Sequence, residues 1–360
     1  MAARKRLPPG APLPHVVTCA IEHPAVLGCL NQLEQLGLAK YTVVGVDARG
    51  VADAQALAAA VTRDTVLVSL MHSNNEVGAV QPVGELAAAL APLVRVRAHS
   101  SASGGGSDGA GGRGGSGGAD GSSCAGGEAG CEGGRASGHG AAPPLLLHTD
   151  AAQSLGKVPV DVRALGVDMA TVVGHKFGAP KGVAALYIRR GVAIANHFCG
   201  GGQEGGRRAG TENVLLLAGL GRAAELALAE RQALTDHARS LRDSLQAQLL
   251  AALPADRVRV NRPVDDSLRL PNTLSISVAG LSSSRLLADL SDRLAASSGA
   301  ACHSAGQGPA VSSVLAAMGL PVEYCVGTLR LSVGRHTTRA EVDGAVALIL
   351  EQARAHGVLS

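Results

Sequence analysis

The sequence predicts an α/β protein, with a large domain on a mostly parallel sheet and a smaller C-terminal α/β domain. Two observations carry that expectation. Short apolar runs alternate with helically spaced segments from Glu22 onward, the β-α-β-α order of a sheet covered on both faces. In Leu145–Arg189, the apolar runs Leu145–His148 and Met169–Val173 end in the polar clusters 149–153 and 174–176. Two buried strands would therefore deliver Asp150 and Lys176 to one edge, where open α/β sheets bind ligands.

Taken in order, Val26, Leu27, Leu30, Leu33 and Leu36 fall at helical spacing and stop at Gly37, a natural helix-ending glycine. A strand over Tyr41–Val46, a helix from about Asp53 to Val61 and a strand over Thr65–Met71 follow. The polar loop His72–Glu76 leads to a helix over about Val83–Val94. From about His99 to Ala142 the chain is Gly, Ser and Ala with hardly a bulky side chain. Such a stretch buries too little area to offset its ordering entropy, so a disordered surface loop is expected at 99–142. It interrupts the sheet at little cost, because closure entropy grows only with the logarithm of loop length. Its glycines neither follow a strand nor precede Gly-Lys-Ser/Thr, which excludes a phosphate loop.

From Val214 to about Leu253 the apolar positions run at helical spacing, and this long helix leads out of the large domain. The boundary is set near Glu225, giving domains 1–225 and 226–360. The smaller domain reads as strands Arg257–Val260 and Asn272–Val278, helices Ser284–Leu294 and Ser312–Met318, strand Thr328–Val333 and helix Arg339–Ala355. The last helix opens with the capping box Thr338-x-x-Glu341.

Composition narrows the function. An apolar share of 46% is ample for a core. A formal charge of +3 with the signs interspersed gives no nucleic-acid stripe. No apolar run reaches the roughly 18 residues of a membrane span. The expected partner is thus a small molecule, with neither nucleic acid nor membrane. Met1–Gly10 follows Arg4, Lys5 and Arg6 with Pro-Pro-Gly instead of an apolar stretch, which is no secretory signal, so a cytosolic location is the default. Cys19, Cys29, Cys124, Cys131, Cys199, Cys302 and Cys325 lack C-x-x-C spacing, arguing against a metal site and a disulfide framework.

An aspartate and a lysine held at neighbouring strand ends suit pyridoxal phosphate (PLP) catalysis. A lysine amine, made nucleophilic by burial, condenses with the aldehyde, while a carboxylate keeps the pyridine nitrogen protonated. Lys176 and Asp150 fit those roles; singly, they would read as a solvated loop lysine and a helix cap near Ala151. Three further features look chemical. The loop 199–213 is rich in Gly and carries Arg207, Arg208 and Thr211, suited to an anion such as a phosphate, or else it is an ordinary glycine loop before a helix. Cys302 sits in the small, polar segment Ser298–Ser304, which suits a mobile thiolate, although a lone cysteine also serves as a small core residue. Arg330 interrupts the apolar strand 328–333, where it needs an anionic partner: a substrate carboxylate or a structural acid.

Together, E-H-P-A-V-L, H-S-N-N-E-V-G, H-T-D-A-A-Q-S-L-G-K, V-G-H-K-F, G-G-G-Q-E, G-T-E-N, S-G-A-A-C-H-S and L-R-L-S-V-G-R-H-T-T-R-A-E-V-D resemble the cysteine desulfurase and selenocysteine lyase branch of class V PLP enzymes. The likeness is colinear and covers nearly all of the chain outside 99–142, and V-G-H-K-F, A-C-H-S and the last motif lean to its lyase side. It implies fold type I, PLP as cofactor and a homodimer. Lys176 would be the Schiff-base lysine and Asp150 the partner of the pyridine nitrogen. Asn75 and Gln153 would bond the ring hydroxyl side, with Asn75 also near the substrate carboxylate. His23 would stack on the ring and assist proton transfer, His175 would hold phosphate, and Thr211 would reach phosphate across a dimer interface. Arg330 would bind the substrate carboxylate. Cys302 would take up the sulfur or selenium as a persulfide or selenopersulfide while alanine leaves, and pass it to an acceptor protein.

The implied reaction converts L-selenocysteine to L-alanine and selenide, with L-cysteine as the alternative substrate. Val173 stands where many desulfurases have a phosphate-binding serine, which reads as subtype. The chain also opens inside the family pattern, without the early Gly/Thr loop and helix that grip the phosphate. Helix N-termini supply much of such binding, so a weakened PLP grip, an incomplete N-terminus, or an inactive fragment acting as a binding module are the corresponding expectations.

Overall fold

The structure of the chain, a computed structural model, describes residues 12–102, 144–263, 265–298 and 311–359. Six strands form the larger sheet: β1 His15–Cys19, β2 Lys40–Val44, β3 Thr65–Ser69, β4 Leu146–Asp150, β5 Met169–Val173 and β6 Ala184–Ile188. Their order is β2-β1-β3-β4-β5-β6, parallel throughout except for β6, which runs antiparallel along the edge. Two of these strands escaped the sequence reading. β1, His-Val-Val-Thr-Cys, is fully buried, but its His15 and Thr18 break the apolar run by which a buried strand is read; β6 is the run between Lys176 and Ile188.

Helices α1 Pro24–Gln35, α2 Ala54–Ala59 and α3 Val83–Ala102 connect the early strands. Leu57, Leu86 and Leu90 pack with Val17, Val68 and Leu147 of the sheet in one core. Helix α3 runs on to Ala102, past the expected start of the glycine-rich loop at 99; the rest of that loop lies outside the described residues.

Helix α4, Val214–Ala252, is continuous through Glu225. Near its start Ala223 packs with Ala179 and Val183, and from Ala238 onward Leu241, Leu245 and Leu249 join a second core. That core covers an antiparallel sheet of β7 Val258–Val260, β8 Thr273–Val278, β9 Ser297–Ser298 and β10 Thr328–Ser332, in the order β7-β8-β10-β9. Four helices accompany it: α5 Ser283–Asp289, α6 Ser313–Ala317, α7 Val322–Val326 and α8 Arg339–Ala355. The capping box at Thr338 and Glu341 is formed.

The two sheets are stitched together beside the loop that follows β3. The Val80 amide donates to Leu268 O at 2.8 Å, and the Leu270 amide to Gly78 O at 2.8 Å. Behind them the fully buried Arg242 of α4 donates to Leu270 O and pairs with Asp243 and Asp266. Val314, Leu315 and Met318 of the α6 region return to the first core. Among the described residues no helix is long and apolar enough to cross a membrane, and no cluster of His, Cys, Asp or Glu could hold a metal.

Candidate active site

The C-terminal ends of β1, β3, β4 and β5 gather the site. β4 ends on Asp150, in register with Thr171 of β5. Asp150 is half-buried; its Oδ1 accepts from the Ala152 amide at 2.8 Å and its carbonyl from the His72 amide at 2.8 Å. No α-helix starts at Ala151; turns occupy 152–157.

Beyond β5 the chain makes one 3-10 turn, Gly174–Lys176. The turn needs glycine: a Cβ at position 174 would lie 2.9 Å from Val183 O and 3.0 Å from Ala179 Cβ. The Gly174 amide donates to Val183 O, and its carbonyl accepts from the Phe177 and Ala179 amides, each at 3.1 Å. Sequence reasoning expected burial of Lys176. The structure leaves Lys176 and His175 exposed, because the turn stands on the sheet's rim. Lys176 lines a cavity of about 330 Å³ with Lys157, Thr235, Asn272 and Arg335.

Beneath the rim lies a polar floor. His72 Nδ1 is 2.8 Å from Ser154 Oγ, and Ser154 Oγ is 2.7 Å from Ser73 Oγ. Burial holds the His72 imidazole down at about 4. His148 bridges Ser69 and Thr171 at 2.9 Å each, and burial lowers it too, against the pull of Asp150. Glu22, 2% exposed, accepts from the Met71 amide at 2.5 Å, while its Oε2 has no partner. Burial pushes its carboxyl up to about 8, and the charge of Asp150 adds to the push. The floor is therefore largely uncharged at neutral pH.

The remaining expected residues divide. Arg330 and Asn75 meet, with Arg330 Nη1 donating to Asn75 O at 3.0 Å. Among the described residues none of the ion pairs involves Arg330, so the structural-acid account of it finds no support. Gln153 is tied to the Lys176 turn through Lys157. His23 is exposed and caps α1, its Nδ1 accepting from the Ala25 amide at 3.1 Å. Thr211 is exposed in the loop before α4. Cys302 lies outside the described residues, as do Cys124 and Cys131; Cys19, Cys29, Cys199 and Cys325 are free thiols. The chain leaves for 299 from Ser298, paired with Leu329 beside Arg330, and Ser312 after the gap donates to Glu76 beside Asn75. Lys157, Glu22 and His72 were legible only as members of motifs; nothing in their spacing separates them from ordinary loop residues.

An open α/β sheet with an exposed lysine and a carboxylate at neighbouring strand ends, and an arginine of the second sheet reaching the loop after β3, has the layout that PLP chemistry uses. The Aminotransferase class-V family matches residues 3–94 and 140–344, and the chain belongs to it. It is 38% identical over 340 residues to a selenocysteine lyase of Bos taurus, covering 92% of this chain and 67% of that one. A cysteine desulfurase of Nostoc sp. is 36% identical over 340 residues, with 94% and 70% covered. Among solved structures, a NifS-like protein aligns with a TM-score of 0.74 at 30% identity, covering 96% of this chain and 76% of that one. DndA from Streptomyces lividans aligns at 0.61 and 32%, covering 88% and 74%. The chain is accordingly an enzyme of fold type I, and PLP is its cofactor.

Proposed function

We propose that the chain removes selenium from L-selenocysteine, releasing L-alanine, with L-cysteine as the alternative substrate. PLP, when bound, supplies an electron sink for cleavage next to the amino-bearing carbon. The chain's own residues do the rest. Lys176 supplies the amine that anchors the cofactor, and Asp150 holds a proton at the ring nitrogen. Asn75 and Gln153 bond the ring hydroxyl side, and His175 and Thr211 take the phosphate. Arg330 binds the substrate carboxylate, and His23 stacks on the ring and moves protons. The Cys302 thiolate takes the selenium atom as a selenopersulfide; two equivalents of a thiol reductant then release it as selenide with formation of a disulfide, or an acceptor thiol takes it over at the same oxidation level.

The observation that carries this reading is the Arg330–Asn75 contact, flanked on both sides by the ends of the segment holding Cys302. The described residues on either side of that segment, Ser298 and Ser312, pair beside the two residues proposed to meet the substrate carboxylate. Comparing alanine release from selenocysteine and from cysteine tests the substrate; equal rates with both would defeat the lyase assignment.

The protein acts as a homodimer in the cytosol, where exposed Cys29 and Cys199 stay reduced. Support for a second copy comes from the apolar surface beside Thr211: Val214 and Leu215 are 72% and 81% exposed. A monomer by sedimentation that still turned over would contradict it.

A further inference from the structure

We propose that Lys157 is the positioning residue for the Lys176 turn: one ammonium, bonded to two carbonyls, clamps the loop after β4 to the turn after β5. Its Nζ donates to Gln153 O at 2.9 Å and, across 19 residues of sequence, to Lys176 O at 3.2 Å. The proposal rests on Lys176 being the cofactor lysine, and it deepens that reading by naming what holds it.

The geometry leaves this side chain little else to do. The Lys157 backbone is fixed at both ends, its amide donating to Ser154 O at 3.0 Å and its carbonyl accepting from Thr235 Oγ1 of α4 at 2.8 Å. Gly156 before it adopts φ +77°, and a Cβ there would lie 3.2 Å from Ala227 Cβ of α4. The loop is thus pressed against α4, with Phe177 Cβ 3.5 Å from the same Cβ position, and the lysine stem carries its hydrogen bond to the turn. Among the described residues no acid is bonded to the ammonium: the facing cations are Lys176 itself and Arg335, which lines the same cavity and is paired with Glu230 of α4. A half-buried lysine without a carboxylate relies on carbonyl acceptors, and both of those it uses belong to loops that carry site residues.

The charge state tunes the grip. Burial, and then the like charge of Lys176, bring the Lys157 ammonium down to about 8. A protonated amine holds carbonyls more tightly than a neutral one, so the clamp is firm at neutral pH and slackens in mild alkali.

The decisive measurement needs no cofactor. Backbone carbonyl 13C shifts of Gln153 and Lys176 in the full chain without PLP, followed from about pH 6 to about pH 10, bracket the Lys157 titration. Both signals are expected to move together with one midpoint near 8, and both should stop moving in Lys157→Met. In Lys157→Arg, which keeps a charged donor, they should stay at the low-pH position throughout. Borohydride trapping of PLP on Lys176 should be about tenfold slower in Lys157→Met and largely recovered in Lys157→Arg, as loss and return of charge-assisted bonds imply. Carbonyl shifts that stay flat with pH in the unaltered chain, or titrate unchanged in Lys157→Met, would overturn the clamp. A clamp that titrates as described in a chain whose Lys176 traps no PLP would uphold the clamp and defeat the cofactor reading instead.

Discussion

Beneath the sheet edge His72, Ser73, Asn74 and Ser154 are buried and bonded to one another or to backbone. Above it, Lys176, His175, His23 and Thr211 stand exposed on loops and turns. The difference lies in what is fixed. On the floor the side chains themselves are fastened, and burial keeps both histidines uncharged. On the rim the backbone of the Lys176 turn is fastened, by Gly174 and by the Lys157 bond, while the Lys176 side chain, the proposed cofactor amine, stands exposed. A group that must form and break bonds benefits from a rigid base and a mobile tip.

Substitutions of the proposed catalytic and substrate-binding residues should impair chemistry and spare the fold. Lys176→Ala is expected to lose turnover completely, together with any visible absorbance of bound PLP; retained turnover would sink the assignment of the cofactor lysine. Cys302→Ala should lose turnover while keeping that absorbance, whereas an enzyme without sulfur or selenium chemistry would stay active. Arg330→Ala removes a charge-assisted pair, so KM should rise roughly 10- to 100-fold with a smaller change in kcat. Steady-state kinetics with an unchanged KM would show that the carboxylate sits elsewhere.

The base of the rim and the floor should answer in stability. Gly174→Ala forces a Cβ against Val183 O at 2.9 Å, an overpacking cost of about 1–3 kcal/mol, measurable as a lower midpoint in urea. Glu22 gives the subtlest signal. Its folded carboxyl near 8 lies above the ordinary 4.5, so the unfolded chain releases that proton first. Its contribution to stability is whole below about 4.5 and is lost as pH rises toward about 8. Glu22→Gln keeps an acceptor for the Met71 amide and should flatten that slope in denaturant titrations; an unaltered slope would mean that the carboxyl is ionised in the folded chain.

The sequence by itself determined the α/β class, the strands over 145–148 and 169–173 that end just before Asp150 and Gly174, the long helix and the capped last helix. Each of these is written in local periodicity or in turn and cap chemistry, which neighbouring residues decide. It did not reveal β1, because the buried His15 and Thr18 interrupt its apolar run, and it expected a buried Lys176 where the turn stands exposed. Only the tertiary structure decided that Arg330 meets Asn75 across 255 residues of sequence, that the loop after β3 is stitched to residues 268–270, and that Lys157 spans two loops. Those contacts join segments distant in the chain, and their energy exists only once both cores have closed around them.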